Sequence, residues 1–244
     1  MRSAPVSRGR CVVQQVGNGS GNGYPVLVID DHELFSTSLT MALRNEGFDA
    51  RTLPVAFVRH FLGHVEGPPG LVVLDLDLGH DAGGRLINGT DLVEGLRSGG
   101  WKVLVVSGSI ERPAIAAAIV AGAIGSVPKS RSFAELLRNV GAAARGESVM
   151  TRDEYEDWVE CHRRHVAKER EHARRLTRLS PRELEVLELL AEGKRAASIA
   201  QHFVVSMPTV RTHIRSILTK LEVGSQLEAV AMFRHQYDVN GRSA

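Results

Sequence analysis

The stretch Leu71-Val72-Val73-Leu74-Asp75-Leu76-Asp77-Leu78-Gly79 constrains this chain more than any other. It is a short apolar run, with Pro68, Pro69 and Gly70 before it and Gly79 after it. A run of this kind, bounded by turn residues, suits a central strand of a parallel sheet. It also ends on an acid. In open α/β sheets ligands gather at the carboxyl ends of the strands, so Asp75 stands at a site position. Val26-Leu27-Val28-Ile29 has the same form and runs into Asp30-Asp31-His32-Glu33. A helix follows, with Leu34, Phe35, Leu39, Met41, Ala42 and Leu43 as its apolar residues and Gly47 at its end. Acids are favoured at a helix N-terminus by the dipole. Asp75, however, adds a third carboxylate from a parallel strand. Three clustered carboxylates repel one another unless a cation joins them, and oxygen-only ligands suit Mg²⁺.

The elements around these two strands alternate. Residues 53–64 (Leu53, Ala56, Phe57, Phe61, Leu62) read as a helix. A loop runs from Gly79 to Gly89 and holds His80, Asp81, Gly83, Gly84 and Arg85; a short helix follows over 90–97. Residues 102–106 form a strand ending in Ser107-Gly108-Ser109, and an Ala/Ile-rich helix covers 113–121. Residues 124–129 form a weaker strand ending in Lys129. Ser132 with Glu135 is a capping box that opens a helix over 133–144. Strands alternating with helices in this way imply a doubly wound parallel sheet, expected to have five strands, an α/β fold. Its strand ends carry Asp30, Asp31, Asp75, Ser107 and Lys129. A carboxylate can accept a phosphoryl group as a nucleophile. A metal and a lysine neutralise the transferring oxygens, and a hydroxyl can hydrogen-bond the new phosphate.

Composition excludes several classes. An apolar content of 43% supports a real core, and a net charge of +2 carries no global nucleic-acid or membrane signature. Cys11 and Cys161 offer neither a disulfide framework nor a metal spacing, which fits a reducing, cytoplasmic setting. No apolar run reaches membrane-spanning length, and the basic N-terminus lacks the apolar core of a signal peptide. Residues 1–24, with three Arg and no acid among Gly, Ser and Asn, read as a disordered tail.

The second half is helical throughout. Thr151 with Glu154 is a further capping box, and Tyr155, Trp158, Val159, His162 and Val166 set one apolar stripe along a helix over 152–176. This helix is either a charged, solvated linker packed on the preceding domain or a dimer or interdomain contact through Tyr155 and Trp158. Ser180-Pro181-Arg182-Glu183 then supplies an N-cap, a Pro at the first helical position and a Glu two residues later. Leu184, Val186, Leu187, Leu189, Leu190 and Ala191 form a core face, ended by Gly193. Further helices are expected over 196–202, 206–221 and 225–234. Short helices joined by a tight turn suggest a helix-turn-helix. In the helix over 206–221, Val210, Ile214, Ile217, Leu218 and Leu221 face inward, while Thr209, Arg211, Thr212, Arg215 and Lys220 face out with no acid among them.

Two resemblances rest on these residues. Residues 25–146, through Ile29-Asp30-Asp31-His32, Leu74-Asp75-Leu76-Asp77, Val106-Ser107-Gly108 and Val127-Pro128-Lys129, resemble the receiver domain of bacterial two-component response regulators. Residues 179–234, through Leu179-Ser180-Pro181-Arg182-Glu183, Ile199-Ala200, Val205-Ser206 and Thr209-Val210-Arg211-Thr212-His213-Ile214, resemble the LuxR-type helix-turn-helix of the NarL/FixJ regulators. The first resemblance implies Asp75 as phospho-acceptor from a sensor histidine kinase. Mg²⁺ would be held by Asp30, Asp31, Asp75 and the backbone carbonyl of Asp77; Ser107 would sense the phosphate and Lys129 would contact it. The second implies that the helix over 206–221 enters the major groove of double-stranded DNA. Arg211, Thr212 and Arg215 would face base edges, and Thr209, His213 and Lys220 the backbone. Leu227, Val230, Ala231 and Phe233 would support a homodimer.

The chain also departs from the receiver pattern. The loop after Asp75 lacks the usual Met-Pro step and reaches its glycine, Gly89, only 14 residues on. Ser130 replaces the proline after the lysine, and Ser126 replaces the aromatic three residues before it. The expected organisation is a tail over 1–24, a receiver over 25–146, a linker helix over 147–178 and an all-α helix-turn-helix domain over 179–244. The expected function is that of a transcriptional response regulator controlled by phosphorylation of Asp75, not an enzyme. Two alternatives stand beside it: a DNA-binding regulator that does not depend on phosphorylation, and a phosphatase of the aspartyl-phosphate kind suggested by Asp75-Leu76-Asp77.

Overall fold

A computed structural model describes residues 23–63, 70–80, 86–108 and 111–241. Most of the expected tail, together with Asp81, Gly83, Gly84, Arg85 and Ser109, lies outside the described residues. By packing, the chain divides into two units at His162/Arg163.

The first unit is built on a five-stranded parallel sheet. In chain order its elements are β1 (Pro25–Ile29), α1 (Glu33–Asn45), β2 (Asp49–Thr52), α2 (Val58–Gly63), β3 (Leu71–Leu74), β4 (Asp77–His80), β5 (Leu86–Asn88), α3 (Gly89–Ser98), β6 (Lys102–Ser107), α4 (Arg112–Val120), β7 (Gly125–Pro128) and α5 (Phe133–Ala144). The sheet order is β2-β1-β3-β6-β7, with every pairing parallel. All four residues of β3 are buried, as a strand covered on both faces requires. One apolar layer, including Leu27, Val72, Val103 and Leu96, packs on one face; Val26, Leu71, Leu104 and Leu136 pack on the other. Gly70 fits where it does because it has no side chain: a Cβ there would lie 2.2 Å from the Pro25 carbonyl oxygen.

Three elements differ from the sequence reading. The helix expected over 53–64 is shorter: Leu53 N–H still bonds Val28 O in the sheet (2.9 Å), and one 3₁₀ turn over Val55–Phe57 precedes α2. Pro54, which favours extended backbone before it, explains the delay. The loop read over 79–89 instead contains a short antiparallel ribbon, β4 with β5. The last helix, expected to stop near Arg234, runs from Gln226 to Gly241.

A 25-residue helix, α6 (Arg152–Leu176), runs across the division between the units. The second unit continues with α7 (Pro181–Ala191), α8 (Ala196–Phe203), α9 (Met207–Leu221) and α10 (Gln226–Gly241) around a core of Val186, Leu187, Ile199, Val210, Ile217 and Leu221. Ser180 and Glu183 form the reciprocal capping box at the start of α7.

Candidate functional site

The sheet brings the acids together. β1 and β3 are adjacent and parallel, so their C-terminal ends deliver Asp30 and Asp75 side by side. Both are buried, at 6% and 3% exposure. β7 delivers Lys129 to the same place: its Nζ lies 2.6 Å from Asp30 Oδ2 and 2.6 Å from Asp75 Oδ2. The ring of Phe35 lies against that ammonium, 4.8 Å from Nζ. Asp31, exposed at the rim, completes a cluster whose ligand atoms all fall within 4.8 Å of one another. Ser107 is buried at the end of β6 and its carbonyl accepts from Lys129 N–H at 2.9 Å. Asp77 N–H donates to Asp75 Oδ1 at 3.3 Å, which orients the carboxylate. Asp30, Asp31, Asp75 and Lys129 thus meet at the ends of β1, β3 and β7, and Ser107 ends the strand β6 that lies between β3 and β7.

Burial pushes the Asp75 carboxyl above its ordinary range, although Lys129 pulls it down. Burial alone would lower the Lys129 ammonium; its hydrogen bonds to Asp30 and Asp75 outweigh that and hold it above its ordinary range. Charge counting then tests a metal. Three carboxylates and one ammonium leave two negative charges, which one divalent cation neutralises. The donors are oxygens, as Mg²⁺ prefers, so the residues fit the ion.

His32 joins the cluster without having been singled out as a site residue. Its Nδ1 lies 2.7 Å from Asp31 Oδ1, and its N–H donates to Asp30 Oδ1 at 2.8 Å. Its place directly after the acid pair was the available signal. Gly89 matters for a different reason: a Cβ there would lie 2.2 Å from the Asp75 carbonyl oxygen. Despite the long insertion, the chain returns to Asp75 at a residue without a side chain, and Gly89 N–H bonds Leu76 O at 2.9 Å. His80 is exposed at the end of β4.

A second candidate surface lies on α9. Ser206 caps it, accepting from Thr209 N–H at 3.3 Å, and Val204 turns the chain between α8 and α9 with a left-handed φ of 54°. Thr209, Arg211, Thr212 and Arg215 are exposed and His213 is half-buried. Among the described residues neither Arg211 nor Arg215 has an acidic partner. The Thr212 hydroxyl donates to Pro208 O at 3.0 Å, leaving its oxygen as an acceptor. Lys220 differs from expectation. It does not simply face outward: its Nζ is held 2.6 Å from Glu183 Oε2. Ser216 Oγ donates to the other oxygen, Oε1, at 2.6 Å. Glu183 is nearly buried, and burial alone would raise its pKa; donation from Lys220, Ser216 and Ser180 holds it at about 2. Sequence reading missed this pairing because it joins residues two helices apart.

Both halves of the chain match known families. Residues 26–141 match the family model of the response regulator receiver domain, and residues 177–233 match that of the bacterial regulatory proteins of the luxR family. The response regulator protein VraR of Staphylococcus aureus is 30% identical over 212 residues, covering 86% of this chain and 96% of its own. The transcriptional regulatory protein LiaR of Bacillus subtilis is 27% identical, covering 88% and 99%. The nitrate/nitrite response regulator homolog of Haemophilus influenzae is 28% identical, covering 86% and 96%. Among solved structures, an RcsB–DNA complex is 20% identical with a TM-score of 0.46, covering 87% of this chain and 98% of that one. The chain belongs to the response regulators, transcriptional regulators of two-component systems that join a receiver domain to a LuxR-type DNA-binding domain.

Proposed function

We propose that phosphorylation of Asp75 by a sensor histidine kinase controls the binding of this regulator to double-stranded DNA. The observation that carries this reading is the buried Asp75 carboxylate held by Lys129 beside two further acids. The Asp75 Oδ attacks phosphorus, a P–O bond forms, and the bond from phosphorus to the donor's leaving atom breaks, its electron pair leaving with the donor. Lys129 lies where it can pair with an oxygen of the incoming phosphoryl group. Asp30, Asp31 and Asp75, with the Asp77 carbonyl, would hold Mg²⁺, which when bound neutralises charge on the transferring oxygens. Ser107 supplies a hydroxyl at the neighbouring strand end.

The working segments are a receiver over 25–146, a linker helix within 147–178 and a DNA-binding domain over 179–244. α9 enters the major groove. Arg211, Thr212 and Arg215 read base edges, while Thr209 and His213 contact the backbone. Lys220, through Glu183, fixes α9 to α7 and reaches the backbone only if that pair opens. α10, through Leu227 and Val230, supports a homodimer on a two-fold site. The setting is the cytoplasm, where chromosomal DNA and a kinase's phosphoryl donor meet. Among the described residues no helix is long and apolar enough to cross a membrane.

Labelling by acetyl phosphate with Mg²⁺ tests the acceptor. Wild type should take up one phosphoryl group and Asp75→Asn none. Label persisting in Asp75→Asn would place the acceptor elsewhere, and sustained release of phosphate from a phosphomonoester would favour a phosphatase.

A further inference from the structure

Next to the phosphorylation pocket lies a cavity of about 430 Å³. Its walls include Ser107 at the end of β6, Arg112 and Ile115 on α4, Ser126 on β7, and Met150 and Trp158 from the segment entering α6. All of these belong to the first unit. At Gly125 the fit is close: a Cβ there would lie 2.6 Å from Val149 Cγ2. On β7 the cavity is lined by the small Ser126 and by Pro128. Opposite, Trp158 packs against the main apolar layer, and the Arg112 guanidinium sits over its ring at 4.7 Å. The start of α6 is fixed by a reciprocal cap: Thr151 N–H donates to Glu154 Oε2 at 2.7 Å, and Glu154 N–H donates to Thr151 Oγ1 at 3.2 Å.

The cavity therefore has Ser107, at the strand end beside the Asp75 pocket, in one wall and the first turns of α6 in another. Close-packed interiors transmit displacement because neighbours cannot interpenetrate, whereas open space lets a side chain move without a clash. A guanidinium over an indole face is held mainly by charge–quadrupole attraction, which tolerates sliding. We infer that Trp158 is a positioning residue of the switch: through this cavity, the Arg112–Trp158 contact changes when Ser107 and α4 move toward a phosphorylated Asp75. Trp158 then moves, from α6, into the cavity space beside Ser126. The inference rests on Asp75 being the acceptor.

The chain has two tryptophans, Trp101 and Trp158, so Trp101→Phe leaves Trp158 as the only indole. On that full-length variant, acetyl phosphate with Mg²⁺ is added and two quantities are read from one sample: the fraction labelled, by intact mass, and Trp158 emission with its acrylamide quenching. Emission should shift in proportion to the label. The shift should be lost in Arg112→Leu even though the label remains. Label with unchanged emission overturns the inference and leaves Asp75 as acceptor; absence of label overturns the acceptor reading and this inference with it. Should Trp101→Phe fail to fold, hydrogen exchange over residues 152–162 of the wild-type chain serves instead. Protection there should change with labelling, and unchanged protection in a labelled sample overturns the inference.

Discussion

Lys129 bridges two buried carboxylates with a single ammonium, 2.6 Å from each. With Asp31 at the rim the pocket keeps a surplus of two negative charges, an arrangement that costs stability until a cation arrives. Mg²⁺ should therefore raise the thermal stability of the receiver unit, by ~2.7 kcal/mol at about a hundredfold excess over its dissociation constant. Asp31→Asn should lose most of that gain, and thermal unfolding with and without Mg²⁺ checks it. Glu183 makes the opposite case, a buried carboxylate already satisfied by the chain. Its folded pKa of about 2 lies below the ordinary 4.5. Its contribution is thus complete above pH 4.5 and is lost as pH falls toward about 2, because the unfolded chain takes up the proton first. Denaturant unfolding of wild type and Glu183→Gln should give a stability difference that shrinks over that window; a constant difference would contradict the pairing. The strand-end acids were legible because an apolar run that stops on Asp announces where it stops. The Glu183–Lys220 pair was not, since Glu183 also satisfies a capping box and that role alone accounts for it locally.

The elements show which signals carry structure. β1, β3 and β6 are continuous apolar runs and were legible as buried strands. β2, with the sequence Asp49-Ala50-Arg51-Thr52, buries only Ala50 and gives no such run, as an edge strand need not. The β4–β5 ribbon was read as a loop because its glycines and polar residues signal turns, and pairing across an insertion is not a local property. Gly89 is the residue that brings this ribbon back. Gly89→Ala should force the chain away from the Asp75 carbonyl, at ~1–3 kcal/mol as for other overpacked positions. Receiver stability and the rate of labelling at Asp75 should fall together, and an unaffected rate would show that the ribbon is indifferent to the pocket. On α9 the buried face was legible from period, and the outer face from charge apart from Lys220, which Glu183 holds. Arg215→Ala should weaken binding to a cognate DNA site by ~1–3 kcal/mol through a lost base contact, and should relax base preference there. Selection from random DNA by wild type and variant measures both.

Across the whole molecule, each unit has its own core and its own chemistry, and α6 is one unbroken helix from Arg152 to Leu176. The class of each unit was legible because its key residues are spaced by elements rather than by long-range packing. The Thr151–Glu154 cap that opens α6 was legible too, but the seat of Trp158 against Arg112 was not, since it depends on packing no local pattern describes. A phosphate on Asp75 needs to shift a two-state equilibrium by only a few kcal/mol to alter DNA affinity. The most direct measurement is the affinity of the full chain for DNA recovered by selection, for wild type and Asp75→Asn, each with and without acetyl phosphate and Mg²⁺. The phosphodonor should tighten wild-type binding about tenfold or more, ~1.4 kcal/mol, and should leave Asp75→Asn unchanged. Equal wild-type affinity in both conditions, or a response that survives in Asp75→Asn, would contradict control through this carboxylate.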